Sequence, residues 1–462
     1  MKPNPASLTD GPIARTLLTF TLPILLGNVL QSLNGSVNSI WVGRFLGEAA
    51  LTATANSNSI LFLLLGGVFG VSMASTILVA QFVGARDLDA ARRVVGTSAT
   101  FFAAVAIGIA LVGWLSASRL LVAMHTPPEA IPFAAAYLRI IFIAIPFLYL
   151  YTFVMAVMRG AGDSRTPFKF LLLSVALDIA LNPLFIFGLG PVPRLGIAGS
   201  ALATLIANAV SLVALLAALY RSNNPLCLRG RELAYLRLDP KILATLLKKG
   251  LPMGLQLLVV SANALAMITL VNRFGTDTTA AYGAAWQLWN YLQMPAFALG
   301  AAVSSMAAQN VGANRWDRVG RIAGAGVAFH CVITGTMLLL LVALNRTALS
   351  LFLQPGRALD IAGHINLTSA WSFVFFGVSM VLFGVVRSTG AVIPPLLMLV
   401  VSLWCVRIPV AVTFMPRFGA DAIWWSFPLA SAVSALLAVG YYRFGGWRRA
   451  QMMSAGSRAA VA

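Results

Sequence analysis

Charge is scarce in this sequence. Only 10% of its 462 residues are Asp, Glu, Lys or Arg, against about a quarter in soluble domains. Acid is scarcer still, with 13 Asp and Glu beside 32 Lys and Arg. Such a composition excludes a soluble enzyme and a disordered, solvated chain. Cysteine is limited to Cys227, Cys331 and Cys405, far apart and without a CxxC pattern, so no disulfide framework or cysteine metal site follows. The histidines, His125, His330 and His364, show no metal-ligand spacing; His330 reads as a buried neutral imidazole. No HExxH, GxSxG, GxxxxGK[ST] or DDxxD motif occurs. Without a phosphate-binding loop the chain has no nucleotide site with which to run on ATP. An enzyme is not expected, nor a metal or a cofactor other than a coupling ion.

Apolar residues fill the space instead, at 59% with a mean hydropathy of +0.87. Ten charge-free windows reach 19 residues or more, from 16–43 through 49–85, 94–118 and 278–314 to 422–442. A helix needs about 20 apolar residues to cross a bilayer. Segments 168–188 and 392–414 are as apolar but hold one charge each. Twelve spans follow, and with them an all-α polytopic membrane protein whose solvent is the lipid bilayer. The first apolar stretch is too long for a signal-peptide core and reads as a retained span.

The net charge of +19 suggests nucleic acid only until its distribution is considered. With alternating spans, 23 of the 32 basic residues fall on the side of the N-terminus and eight on the other, leaving Arg407 within a span. This is the positive-inside asymmetry, and it places both termini in the cytoplasm. No nucleic-acid partner is expected.

The least apolar stretch, 221–249, divides the spans six and six, which gives an N-lobe over 1–230 and a C-lobe over 231–462. An internal repeat supports the division. AQFVGARDLDAARRVVG (80–96) matches AQNVGANRWDRVGRIAG (308–324), RGAGDSRTP (159–167) matches RSTGAVIPP (387–395), and Pro23 stands opposite Pro252. The lobes should be pseudo-symmetric six-helix bundles related by an axis along the membrane normal. In duplicated transporters of this kind the substrate site lies between the halves near the midplane.

Of the acidic residues, Asp178 alone falls within a span, roughly 15 Å from either end of the fifth at 1.5 Å per residue. A carboxylate at that depth is costly and should face a polar interior. Asn182 lies one turn away on the same face. The first span offers Asn34 and Asn38, with Gln31 before them, and the sixth offers Thr204 and Asn208. Converging stripes would gather around Asp178 as a cation or proton site, coupled to helix bending at Pro23 or Pro183. The plainer alternative is a set of hydrogen bonds that only holds the lobe together. In the second half, Arg407 either snorkels to the outer interface or contacts the central cavity. Tyr282, Trp286 and Trp289 share a face of the eighth span. That face either lines a cavity for lipophilic cations or packs in the core. Gln31 and Gln256 complete the candidate cavity set.

These residues carry a resemblance. WVGRFLGEAALTA (41–53), AQFVGARD, RGAGDSRTP, LNPLFIFGLGP (181–191), LGIAGSALAT (195–204) and RIP (407–409), duplicated in this order, are similar to the multidrug and toxic compound extrusion (MATE) family over about 15–445. The resemblance implies two bundles in a V, open alternately to each side. It implies export of cationic or amphiphilic compounds in exchange for H+ or Na+, in a bacterial inner membrane. A monomer is expected. The family usually carries Asp where this chain has Asn38, often Asp at Asn182, and often Asn at Asp178. Some members bind Na+ through acids of the seventh and tenth spans, near Val260, Ser261, Phe376 and Gly377 here, where no acid stands. Two rival readings are a lipid-linked oligosaccharide flippase, which needs a cationic cavity, and an intramembrane enzyme, which needs converging acids or a nucleophile with a base.

Overall fold

The structure is a computed structural model; it describes residues 8–123, 126, 128–129, 131–188 and 193–453. His125 lies outside these residues. In lipid every backbone polar group must be satisfied internally, so long apolar runs become helices. The first half contains α1 (Ile13–Leu46), α2 (Glu48–Gly84), α3 (Leu88–Ala123), α4 (Ile131–Gly160), α5 (Arg165–Phe187) and α6 (Ile197–Arg221). A 3-10 segment, Gly230–Leu236, follows. The second half contains α7 (Pro240–Val271), α8 (Thr276–Gly312), α9 (Trp316–Ala343), the short α10 (Asn345–Leu349), α11 (Arg357–Ser369), α12 (Ser372–Ser388), α13 (Ile393–Val400), α14 (Ile408–Phe418) and α15 (Asp421–Phe444).

A twelve-span layout fits the helices. Nine helices among the described residues are long and apolar enough to cross a membrane, the stretch Ile393–Phe418 counted as one, and α11 with α12 adds a tenth span bent by 45°. Helices α2 and α8, 37 residues each, complete the set. The eleventh span changes pitch midway, because Val401–Arg407 is a π-helical turn just before Pro409. Such turns leave local carbonyls under-bonded and recur at functional sites. A neighbour fills one gap here, since Asn263 Nδ2 donates to the Leu403 carbonyl at 2.9 Å, and Trp404 Nε1 ties the turn to α7 by donating to the Val259 carbonyl at 3.3 Å.

The internal repeat extends to backbone geometry. Arg86 and Asn314, equivalent in the repeated phrase, are both left-handed, at φ 62° and 57°. Each closes its helix with the same three bonds. In the first copy these run from Ala85, Arg86 and Asp87 to the carbonyls of Gln81, Val83 and Phe82; in the second, from Ala313, Asn314 and Arg315 to Gln309, Val311 and Asn310. A left-handed residue after the last turn is how helices satisfy their final carbonyls.

Packing divides the chain into two compact units, and the division is not a single cut. One unit contains Leu26–Gly250; the other contains Leu8–Leu25 together with Leu251–Ala455. The opening turns of α1 therefore belong with the second half, and those of α7 with the first. Both exchanges occur beside the paired prolines Pro23 and Pro252, which sit well inside their helices. In the first unit α4 runs through the centre, with Phe142, Tyr149 and Phe153 buried and Phe153 against Phe102 of α3 at 4.9 Å between rings. In the second, Leu17, Phe20 and Ile24 of α1 join Leu299, Val303, Val381 and Val385 in one core. A second core in that unit is aromatic, built on Tyr282, Trp289, Phe373, Trp424 and Phe427.

Candidate functional site

The polar stripes of α1, α5 and α6 meet in the first unit. Asp178 of α5 is 3% exposed. Its Oδ2 accepts from Asn34 Nδ2 at 2.9 Å and from Asn38 Nδ2 at 2.8 Å, and its Oδ1 accepts from Thr204 Oγ1 at 3.0 Å. Asn182 Nδ2 donates to Asn38 Oδ1 at 3.0 Å and back to the Asp178 carbonyl at 2.8 Å. Asn208 is one shell farther out, donating to the Thr204 carbonyl at 2.8 Å. Five of the residues picked out by helical spacing thus form one network around the carboxylate, with Asn208 behind it. Gln31 is exposed and is not among the partners of Asp178. Pro183 lies inside α5 next to Asn182, where it withholds one backbone donor from the helix.

The chemistry of the network follows from its donors. All three side-chain bonds to Asp178 are received by the carboxylate, so the pocket is complementary to the ionised form. Two amide oxygens of the same network, Asn34 Oδ1 and Asn182 Oδ1, are buried without a hydrogen-bond partner. A carboxylate beside unpaired amide oxygens is the donor set of a small hard cation. It is equally a place where a proton can replace one. No cluster of three or more His, Cys, Asp or Glu occurs among the described residues.

Four neighbouring side chains were not evident from the sequence. Tyr137 of α4, 8% exposed, lies within electrostatic reach of Asp178. Trp41, Phe45 and Phe187 close α1 against α5 one turn beyond Asn38, with ring centroids 5.3, 6.0 and 5.1 Å apart. The trio packs the end of α1 beyond the network against the end of α5. The i, i+4 aromatics in WVGRF were the available signal.

In the second unit Arg407 does not reach outward for an interface. Its Nη1 donates to Asn263 Oδ1 at 3.0 Å and its guanidinium lies 3.3 Å from the centroid of the Phe427 ring. Asn263, on the same face of α7 as Gln256 two turns earlier, is the residue that spacing should have revealed. Gln256 is itself committed to packing. It is 5% exposed, accepts from Arg387 Nη1 at 3.0 Å and donates to the Val392 carbonyl at 3.4 Å. Arg387, in the last turn of α12, is buried at 8% exposure.

The aromatic face of α8 belongs to the core. Trp289 is 0% and Tyr282 4% exposed. Trp289 Nε1 donates to Asn366 Oδ1 at 2.9 Å, and its ring lies 5.2 Å from that of Phe427. Trp286 is only partly covered. His330 is also a core residue, bonded to the Phe373 and Val374 carbonyls at 3.2 Å.

Known proteins give the geometry its context. The MatE family model matches the chain twice, over residues 23–184 and 252–413, one match in each half of the repeat. The chain is 36% identical over 440 residues to the probable multidrug resistance protein YoeA of Bacillus subtilis, covering 95% of both chains. It is 32% identical over 449 residues to the probable multidrug resistance protein YpnP of the same organism, covering 96% of this chain and 98% of that one. Among solved structures it is similar in fold to a MATE protein crystallised in complex with MaD3S, with a TM-score of 0.88 at 19% identity over 96% of this chain and 98% of that one.

Proposed function

Because this chain belongs to the MATE family of efflux transporters, we propose that it is a secondary antiporter expelling cationic or amphiphilic compounds in exchange for protons taken up at Asp178. The observation that carries the reading is the buried Asp178 carboxylate, bound by α1 and α6 through Asn34, Asn38 and Thr204. The protein lies in a bacterial cytoplasmic membrane with both termini inside, as the 23-to-eight partition of basic residues directs, and acts as a single chain.

Coupling follows from what a proton does to the network. An ionised carboxylate only accepts; a protonated one must donate. Both α1 amides bind the same oxygen, Oδ2. A proton on Oδ2 leaves at least one amide facing a donor, and a proton on Oδ1 reverses the Thr204 bond; either way the α1 amides lose a charged acceptor. A hydrogen bond to a charged group contributes about 1.5–3 kcal/mol, which matches the 1–3 kcal/mol typical of coupling between sites. Helix α1 is suited to carry the change. Its residues from Leu26 onward pack in the first unit and Leu8–Leu25 in the second, with Pro23 at the junction. A proton that loosens α1 from α5 changes the relative stability of states that differ in the course of α1, and a substrate with unequal affinity for those states is released or bound accordingly.

Sodium is the alternative coupling ion, favoured by the unpaired Asn34 and Asn182 oxygens. Transport into proteoliposomes, with a panel of fluorescent cations under an imposed pH gradient or an imposed sodium gradient, separates the two. A pH gradient alone should drive accumulation. Dependence on sodium with indifference to pH would transfer the role to the alternative, and no accumulation under either gradient would dismiss the antiporter.

A further inference from the structure

The linker between the two halves is a built surface. Its 3-10 segment Gly230–Leu236 is fastened along the first three turns of α3. Arg92 pairs with Glu232 at 2.7 Å, the Tyr235 hydroxyl donates to Asp89 Oδ1 at 2.6 Å, and Thr100 Oγ1 donates to the Leu236 carbonyl. Gly96 permits the approach, since a Cβ there would stand 2.3 Å from the Tyr235 carbonyl oxygen. Fixed in this way, the segment and the residues after it leave their leucines exposed: Leu233 is 52%, Leu236 41% and Leu238 45% exposed.

The level of these leucines along α3 identifies their surroundings. Thr100 lies about 18 Å along α3 from Leu88 at 1.5 Å per residue. The charge-free stretch of α3 begins at residue 94, so the linker grips the helix where it enters the hydrocarbon. Exposed leucines at that border are suited to lipid. Cations accompany them, for segment 221–249 holds seven Lys and Arg against two acids. Between the linker and α3 lies a cleft of about 460 Å³, lined by Arg93, Thr97, Tyr235, Arg237, Asp239 and Lys241 among others. Its acid is already engaged: Asp239 Oδ1 caps α7 through the Lys241 and Ile242 amides at 2.8 and 3.2 Å. Arg93 is held by Asp89 at 3.2 Å. Arg237 and Lys241 form no ion pair among the described residues.

We infer that this cleft binds the phosphate of an anionic phospholipid of the cytoplasmic leaflet, with Arg237 and Lys241 on the phosphate and Leu233, Leu236 and Leu238 against the acyl chains. Basic clefts at the cytoplasmic ends of spans recognise such headgroups. A soluble phosphate would use the cations and leave the leucines bare. The site is independent of the role of Asp178.

Native mass spectrometry of the full-length protein in detergent, titrated with phosphatidylglycerol or phosphatidylcholine, tests the proposal. Phosphatidylglycerol should be retained in preference. The double variant R237Q/K241Q should weaken its retention about thirtyfold, at the per-charge contribution typical of anionic surfaces, while R357Q on the opposite side should not. Retention unchanged in the double variant, equal retention of the two lipids, or displacement of the lipid by equimolar inorganic phosphate would overturn it. Hydrogen exchange over 230–238 in nanodiscs supplies a reading free of substitutions. Phosphatidylglycerol should slow exchange relative to phosphatidylcholine alone, and equal exchange refutes the site.

Discussion

Replacing Asp178 in two ways separates the role of its charge from the role of its hydrogen bonds. In Asp178→Ala three donors lose their acceptor: Asn34 Nδ2, Asn38 Nδ2 and Thr204 Oγ1. A buried group left unsatisfied costs about 1–3 kcal/mol. Even with partial relaxation the variant should be destabilised by about 3 kcal/mol or more. Asp178→Asn is different. Its amide oxygen can take the Oδ2 position, where both α1 amides already donate. Its NH2 then faces Thr204, whose hydroxyl rotates to accept. The network keeps its three bonds as neutral ones, roughly half as strong as charge-assisted ones, and the cost stays near 1–2 kcal/mol. The Asn variant should therefore purify like the wild type, with an unfolding midpoint close to it and well above that of the Ala variant. It should nevertheless lose accumulation of a transported cation driven by a pH gradient in proteoliposomes, and should not protect cells lacking their own pumps. Two results would refute the reasoning. One is an Asn variant that pumps at the wild-type rate; the other is an Ala variant as stable as the Asn variant.

Three further outcomes follow. Gly377→Ala should destabilise the second unit by about 1–3 kcal/mol through overpacking, because the new Cβ would fall 1.8 Å from Cε1 of the buried His330; thermal unfolding in detergent measures it, and an unchanged midpoint contradicts the packing. Trp289→Phe should cost about 1–3 kcal/mol by removing the donor to Asn366, with transport specificity preserved; an altered substrate range would return this face to the cavity. The Tyr235 hydroxyl is held above its ordinary value of 10.0 by its hydrogen bond to Asp89. A raised folded value means that this contact contributes fully below the unfolded value and is lost only as pH rises through the folded one. The tyrosinate absorbance difference between wild type and Tyr235→Phe should accordingly titrate above pH 10.0; titration at or below that value contradicts the contact.

The network around Asp178 was legible because lipid leaves polar groups little choice. Asp178 with Asn182, Asn34 with Asn38, and Thr204 with Asn208 recur at one helical turn in otherwise apolar runs, and all but Asn208, which bonds back to its own helix, find a partner on another helix. The aromatic face of α8 was legible only as a face. Periodicity marks Tyr282, Trp286 and Trp289 as neighbours but does not say what covers them. Asn366, Phe373, Trp424 and Phe427, distant in sequence, do that. Gln256 packs in the core for a similar reason, since its partner Arg387 is distant in sequence and stands just before a Ser-Thr-Gly turn. The π-helical turn of the eleventh span leaves no compositional mark. The 230/231 division followed a drop in hydropathy, whereas packing changes over at the paired prolines inside α1 and α7, where composition is uniform.

The coupling role of Asp178 is tested most directly by following protons in place of cargo. A transported cation is added to purified protein in weakly buffered detergent solution, and the pH change is recorded for wild type and for Asp178→Asn. Exchange at this carboxylate predicts acidification with the wild type and none with the variant. Equal proton release from both would contradict it.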